Sequence, residues 1–291
     1  KKNLGLKTLI EVCNIEKTIT AHELGYALGP RINAGGRVGK STHGANLLLN
    51  QSPKNAFKLA ADLNTFNEER KILETELLNK ILNIDYKNNT DPVVILYGEN
   101  WHEGIIGIIA ARVKDKFSKP TIIISVNDGV GKGSGRSIHG FDLGSVIIAA
   151  VQNGLLSKGG GHKMAAGFTI NMNKIEEFKE FVFRKFKSVN INLEEKKNYY
   201  YDLEIAPSAV NIEFFEKINL LSPFGSGNPE PRFIIKDLKL VNSKIIAEKH
   251  IKIVLIGSDS TTLKAISFNS VDTQLGSHLL KKNIKPFNIA G

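Results

Sequence analysis

The stretch PVVILYGENWHEGIIGIIAARVKDKFSKPTIIISV, residues 92–126, decides the architecture. Val93 to Tyr97 is a short unbroken apolar run of the kind that forms a buried strand, and Thr121 to Val126 is another. Between them Gly104 to Phe117 reads as a helix. Strand, helix and strand in that order predict an α/β sheet. The alternation continues downstream, with Gly131 to Ser137 as a strand or its rim and Leu143 to Gln152 as a helix. A glycine loop, Gly159 to Gly161, leads to the strand Phe168 to Ile170. A helix from Lys174 to Lys187, with Phe178, Phe181 and Val182 on one face, closes the unit.

Upstream, Ser52-Pro53 is a cap followed by a proline at the first helical position. Ala56, Leu59, Leu63, Phe66, Leu73, Leu77 and Ile81 follow at spacings near three and four, which predicts a helix of about 30 residues, some 45 Å long. Asn88-Asn89-Thr90-Asp91-Pro92 is a breaker cluster and marks a boundary near residue 90. Residues 1–52 begin inside an element, with no capping signal ahead of Leu4, so the chain reads as a fragment. Thr20 to Leu28 reads as a short helix, Gly29 to Arg37 as irregular, and the following residues as a small-residue helix reaching Leu49. Downstream, the polar residues 188–198 read as a linker. Phe233 to Leu240, Ile251 to Ile256 and Leu263 to Phe268 then look like antiparallel strands of a small β-barrel, with about four strands countable where a five-stranded nucleic-acid-binding barrel needs one more.

Composition narrows the function classes. A chain that is 42% hydrophobic and 23% charged is ordinary globular protein, and 291 residues suit two or three domains. Its apolar runs are far short of the roughly 20 residues that span a bilayer. Cys13 is the single cysteine and cannot form an internal disulfide, so a reducing cytoplasm is the default. The 39 Lys+Arg against 29 Asp+Glu leave a net charge of +10, which attracts polyanions and puts nucleic acid on the shortlist.

Four clusters carry candidate chemistry. Gly159-Gly160-Gly161-His162 strips side chains from the backbone so that N–H groups can approach an anion, while His162 and Lys163 can donate to phosphate oxygens. Gly133-Ser134-Gly135-Arg136-Ser137 offers a guanidinium and hydroxyls, and on an extended strand Ser134 and Arg136 point the same way, a suitable receptor for one terminal phosphate. Arg31 and Arg37 flank Asn33 and two glycines. His102 precedes a helix start and suits a cap or, alternatively, an anion contact. Each cluster has a purely structural reading as a turn, a strand edge or a cap. His102 with Glu103, and isolated Asp128 and Asp142, form no metal-ligand constellation. No Walker lysine loop is evident, and Gly225-Ser226-Gly227 neither follows a buried strand nor opens a helix.

The order of the motifs is more telling than any one of them. Arg-Ile-Asn-Ala-Gly-Gly-Arg at 31–37, Trp-His-Glu-Gly-Ile-Ile-Gly at 101–107, Gly-Ser-Gly-Arg-Ser at 133–137, Gly-Gly-Gly-His-Lys-Met-Ala-Ala-Gly at 159–167 and Pro-Phe-Gly-Ser-Gly-Asn-Pro-Glu-Pro at 223–231 together resemble the RecJ family of the DHH phosphoesterase superfamily. The resemblance covers nearly the whole chain. It departs from the family pattern where Gly35 and Gly135 replace alanine and Glu103 replaces proline.

The resemblance implies four parts: residues 1–52 as the C-terminal end of a DHH catalytic domain, 53–88 as a connecting helix, 89–190 as a DHH-associated substrate-binding α/β domain, and 191–291 as an incomplete OB-like domain. It implies a cytoplasmic 5′-to-3′ exonuclease of DNA repair and recombination. Such an enzyme acts on single-stranded DNA, alongside other DNA-repair proteins, with Mn2+ or Mg2+ bound by residues outside this chain, so the isolated chain is expected to be inactive. It further implies that Ser134, Arg136 and Ser137 hold a 5′ phosphate. Gly160, Gly161, His162 and Lys163 would grip the backbone, with His162 supporting catalysis, and Arg31, Asn33 and Arg37 would complete the pocket. Arg232, Phe233, Lys236, Lys252 and Phe268 are candidate strand contacts in the barrel. Two alternatives stay open: another DHH-superfamily phosphoesterase acting on short oligonucleotides, and a non-catalytic single-strand-binding module.

Overall fold

The computed structural model describes residues 3–83, 90–189, 198–281 and 285–291. Residues 190–197 of the expected linker at 188–198 and Asn88-Asn89 of the breaker cluster at 88–92 lie outside these residues. The chain forms two compact units, Lys1–Glu195 and Lys196–Gly291.

The first unit opens with helices. Helix α1, Leu4–Val12, is capped by Asn3, whose side chain accepts the Leu6 N–H at 2.9 Å. A capping signal therefore does precede Leu4. Helix α2, Ala21–Glu23, runs through a π-helical turn at Leu24–Leu28 into α3, Gly29–Val38. Residues 29–37 are thus helical rather than irregular. Pro30 lies just after the π-helical turn, at the junction where the hydrogen-bond ladder changes from one helix type to the other. A Cβ on Gly35 would stand 2.9 Å from the Lys40 carbonyl oxygen and 3.1 Å from Leu63, so that glycine serves packing. Helix α4, His43–Leu49, and the 30-residue α5, Pro53–Leu82, complete a bundle around Leu9, Leu28, Leu47, Ala56, Ala60 and Leu63.

The same unit continues as a five-stranded sheet. Its elements are β1 (Val94–Glu99), α6 (Glu103–Phe117), β2 (Thr121–Asn127), β3 (Val130–Arg136), α7 (Leu143–Gln152), β4 (Lys158–His162), β5 (Ala165–Asn171) and α8 (Ile175–Lys187). The strand order is β1-β2-β3-β5-β4, parallel between β1 and β2 and antiparallel elsewhere. Period-two alternation divides the side chains. Ile122, Ile124, Phe168 and Ile170 face a core with Ile147 of α7 and Phe178 of α8. Val94 and Ile123 face Ile105, Ile109 and Val113 of α6, joined by Leu77 and Ile81 of α5. Each such large side chain contributes about 1.5–3 kcal/mol when fully buried.

The triple glycine corrects another expectation. It is an edge strand, not a loop: Gly159, Gly160 and Gly161 pair with Phe168, Gly167 and Ala166 of β5. Glycine is required on the α7 side because that helix lies directly on the strand. A Cβ on Gly159 would be 2.7 Å from Ile147, and one on Gly144, in the first turn of α7, would be 3.0 Å from backbone atoms of Gly161 and His162.

In the second unit, β7 (Phe233–Ile246), β8 (His250–Ile256), β9 (Thr262–Ser267) and β10 (Phe287–Ala290) run in the order β10-β7-β8-β9, and the short β6 (Leu203–Glu204) pairs parallel with β7. Five strands are therefore present where about four were expected. Two residues of β6 are too few to show a period. Helices α9 (Ile212–Asn219) and α10 (Gln274–Leu279) were not foreseen. Leu238, Ile251, Ile253, Leu255, Leu263 and Leu279 form the core. Among the described residues, no helix is long and apolar enough to cross a membrane.

Candidate nucleic-acid interface

Strand β3 alternates cleanly: Gly131, Gly133 and Gly135 are buried, while Lys132, Ser134 and Arg136 are half-buried on the opposite face, the one that α6 covers. The register carries this face across three strands. Ser134 pairs with Gly167, which pairs with Gly160; Arg136 pairs with Ala165, which pairs with His162; Lys132 pairs with Thr169, which pairs with Lys158. Directly paired residues lie on the same face of a sheet, and two strand spacings span about 10 Å. Ser134 and Arg136 therefore share one surface with Gly160 and His162.

Helix α6 closes one side of that surface. A Cβ on Gly107 would lie 3.0 Å from Ser134 Oγ and 3.1 Å from Arg136 Nη2, so the helix rests on both polar groups. Arg136 Nη1 donates to Ser134 Oγ at 3.3 Å and to the Gly135 carbonyl at 2.9 Å. Over β5 and β4 the floor is bare. Among the described residues nothing lies within 4 Å of a Cβ built on Gly160, and only the Gly133 carbonyl, at 3.8 Å, approaches one on Gly167. Neither glycine has a positive φ. Packing and backbone conformation thus leave both positions free to carry a side chain, and the space above them is open.

Arg37 joins from α3. Its Nη1 donates to the Gly104 carbonyl at 3.1 Å, and a Cβ on Gly104 would fall 2.0 Å from the Arg37 carbonyl oxygen, so α3 and α6 touch backbone to backbone. His102 caps α6, its Nδ1 accepting the Gly104 N–H at 3.1 Å. Burial, and after it the Arg37 guanidinium, push the Arg136 pKa down from its ordinary value. Among the described residues neither arginine is ion-paired with a carboxylate. Two guanidiniums close enough to repel, one of them half-buried, favour an anion between them.

Other expected residues are placed differently. Ser137 is 1% exposed, and its hydroxyl donates to the Phe141 carbonyl at 2.6 Å, so it belongs to the α7 side and not to the pocket. Gly161 likewise faces away from Gly160, where a Cβ would meet the Ala165 carbonyl at 2.4 Å. Arg31 turns into the helical body, donating to Asn64 Oδ1 and to the Ala27 carbonyl, each at 2.8 Å. Near it, burial pushes the Cys13 thiol up while Arg31 opposes the shift. Asn33 is exposed and lines a cavity with Arg37. His162 and Lys163 are exposed at the β4–β5 turn, and the Lys163 carbonyl accepts the Leu143 N–H at 3.1 Å. Lys132, two positions before Ser134, has no signal in the motifs, and Gly167, which the sequence shows only as the small end of the 159–167 motif, is placed by the register between Ser134 and Gly160.

In the second unit, the outward face of β7–β9 aligns Lys244, Lys252 and Ile266 in one row. His250 meets the largely exposed Phe268 edge-on at 5.3 Å. Lys236 is ion-paired with Glu204 at 2.5 Å, and Phe233 packs on Phe214. Arg232 lies over the Tyr199 ring at 5.6 Å. No group of three or more His, Cys, Asp or Glu that could hold a metal occurs among the described residues.

The mixed α/β sheet and the β-rich second unit are a DHHA1 domain followed by an OB domain. Residues 90–188 match the DHHA1 domain model and residues 201–291 the RecJ OB domain model. Over 93% of its length the chain is homologous to the RecJ exonucleases. It is 32% identical to the single-stranded-DNA-specific exonuclease RecJ of Dickeya dadantii and 33% identical to that of Escherichia coli, in each case over 93% of the chain and 48% of the relative. The chain therefore spans about half the length of the curated relatives it matches. The crystal structure of RecJ in complex with Mn2+ from Thermus thermophilus superposes with a TM-score of 0.81 at 25% identity, covering 100% of this chain and 40% of that one.

Proposed function

We propose that this chain is the substrate-gripping portion of a single-strand-specific 5′ exonuclease that hydrolyses DNA phosphodiester bonds in repair and recombination. The observation that carries the reading is the row from Ser134 through Gly167 to Gly160, walled by Arg136 and Arg37, which have no carboxylate partner among the described residues. A terminal phosphate has more charge and more free oxygens than an internal diester, and two guanidiniums with a hydroxyl suit it. The bare backbone of Gly167 and Gly160 lets a sugar–phosphate chain lie against the sheet, with His162 and Lys163 donating from the far edge. Seating the 5′ end at Ser134 registers the strand, so that the end nucleotide is the one removed.

The OB domain would hold the trailing strand on its outward face, Phe268 and His250 offering rings and Lys252 and Lys244 offering charge. RecJ structures from Thermus thermophilus contain Mn2+ and Mg2+. By that likeness the hydrolytic step uses a divalent metal. The described residues provide no ligand set that fits one, so the contribution derived for them is binding and orientation alone.

The test is fluorescence anisotropy of this chain with a short single strand ending in 5′ phosphate or 5′ hydroxyl, over a range of salt. The reading requires tighter binding of the phosphate-ended strand and a linear fall of log K with log salt, with a slope of about −0.7 per phosphate contact. Equal binding of both ends would overturn the terminal pocket.

A further inference from the structure

We propose that Glu74 is a positioning residue for the terminal-phosphate pocket, holding Arg37 in place against Arg136. The inference rests on the reading above and names a residue that touches no substrate. Glu74 lies on α5 and is 5% exposed. Its Oε2 accepts Arg70 Nη1 at 2.7 Å, and its Oε1 accepts Nε of Arg112, which lies on α6. Arg70 Nη2 in turn donates to Asn67 Oδ1 at 3.2 Å. One buried carboxylate thus ties α5 to α6.

Both ends of this tie reach the pocket. Arg70 lines a cavity of about 400 Å3 together with Asn33 and Arg37, so the Glu74 cluster and the arginine from α3 border the same space. Helix α6, held through Arg112, supplies the Gly104 carbonyl that accepts Arg37 and lies over Ser134 and Arg136 at Gly107. A slide of α6 along α5 would therefore shift Arg37 and the cover over Arg136 together. Buried ion pairs add little stability over apolar residues of like volume, and in some proteins they are kept for the geometry they fix. The arrangement fits a tie that sets the separation of two guanidiniums.

The experiment compares Glu74→Gln, Arg112→Ala and Arg112→Lys in this chain by anisotropy, reading the ratio of Kd for 5′-hydroxyl and 5′-phosphate strands. Arg112 has a side chain 58% exposed, and without it Glu74 keeps Arg70 as a partner, so Arg112→Ala is the milder change and is compared once melting shows that it folds. The expected result is a loss of about tenfold in that ratio for Glu74→Gln and Arg112→Ala, as small misplacements of a binding group produce. The 5′-hydroxyl Kd stays unchanged, and Arg112→Lys, which keeps a cation at the carboxylate, retains most of the preference. An unchanged ratio in the folded variants, or equal weakening of both strands, would overturn the role. Arg136→Ala separates the two levels. If it abolishes the preference while the Glu74 and Arg112 variants keep it, only this inference fails; if it also keeps the preference, the pocket itself is misassigned.

Discussion

Ser134 and Gly160 stand in one row across the sheet although their strands never touch, because each pairs with Gly167 on the strand between them. That relationship joins two motifs 26 positions apart in the sequence into one surface, a positive receptor at one end and bare backbone at the other.

Gly167→Ala separates binding from folding. Its Cβ would meet only the Gly133 carbonyl at 3.8 Å, an ordinary contact. Replacing a strand glycine whose φ suits alanine raises stability by about 0.4–1 kcal/mol through the unfolded chain. Thermal melting should show no loss while affinity for single-stranded DNA falls; unchanged affinity would mean that no strand lies there.

Arg136→Ala should remove the preference for 5′-phosphorylated ends. A hydrogen bond to a charged group contributes about 1.5–3 kcal/mol, roughly ten- to a hundredfold in Kd. Titration of both strand types checks this, and equal weakening of the two would count against a terminal pocket.

Ser137→Ala should behave in the opposite way. The buried Phe141 carbonyl loses its donor, which costs about 1–3 kcal/mol of stability, visible as a lower melting temperature. End preference should be retained. A selective loss for phosphate ends would return Ser137 to the pocket.

His162→Ala probes the exposed edge of the row. Under the proposed function, turnover of DNA should fall more than strand affinity, measured by single-turnover rates beside Kd. A variant with a normal rate would make His162 structural.

The sequence disclosed much of this and concealed the rest for identifiable reasons. Strands such as Ile122 to Val126 were legible because continuous apolar runs mark a strand buried on both faces. The edge strand β4 was not, since three glycines carry no period; its pairing with β5 and the approach of α7 define it. The helix at 29–38 was obscured by Gly29, Pro30, Gly35 and Gly36, which read as breakers until the packing of Leu63 on Gly35 is known. Ser137 could have been excluded by parity alone, since it falls on the other face from Ser134 and Arg136, and the same parity would have found Lys132. Arg31 could not have been placed, because its partner Asn64 lies 33 positions away.

The two faces of β4 give its glycines two different fates. At positions 159 and 161 an added methyl collides with Ile147 or Ala166, so substitution there would deplete the protein itself. At 160 it collides with nothing among the described residues, so the same change would leave the fold unharmed and, under the proposed function, weaken the hold on DNA. A saturation scan through 158–162 that scored abundance and DNA retention separately would therefore alternate residue by residue. The two kinds of damage would interleave along a single strand, and genetic selection on either trait alone would see only every second position.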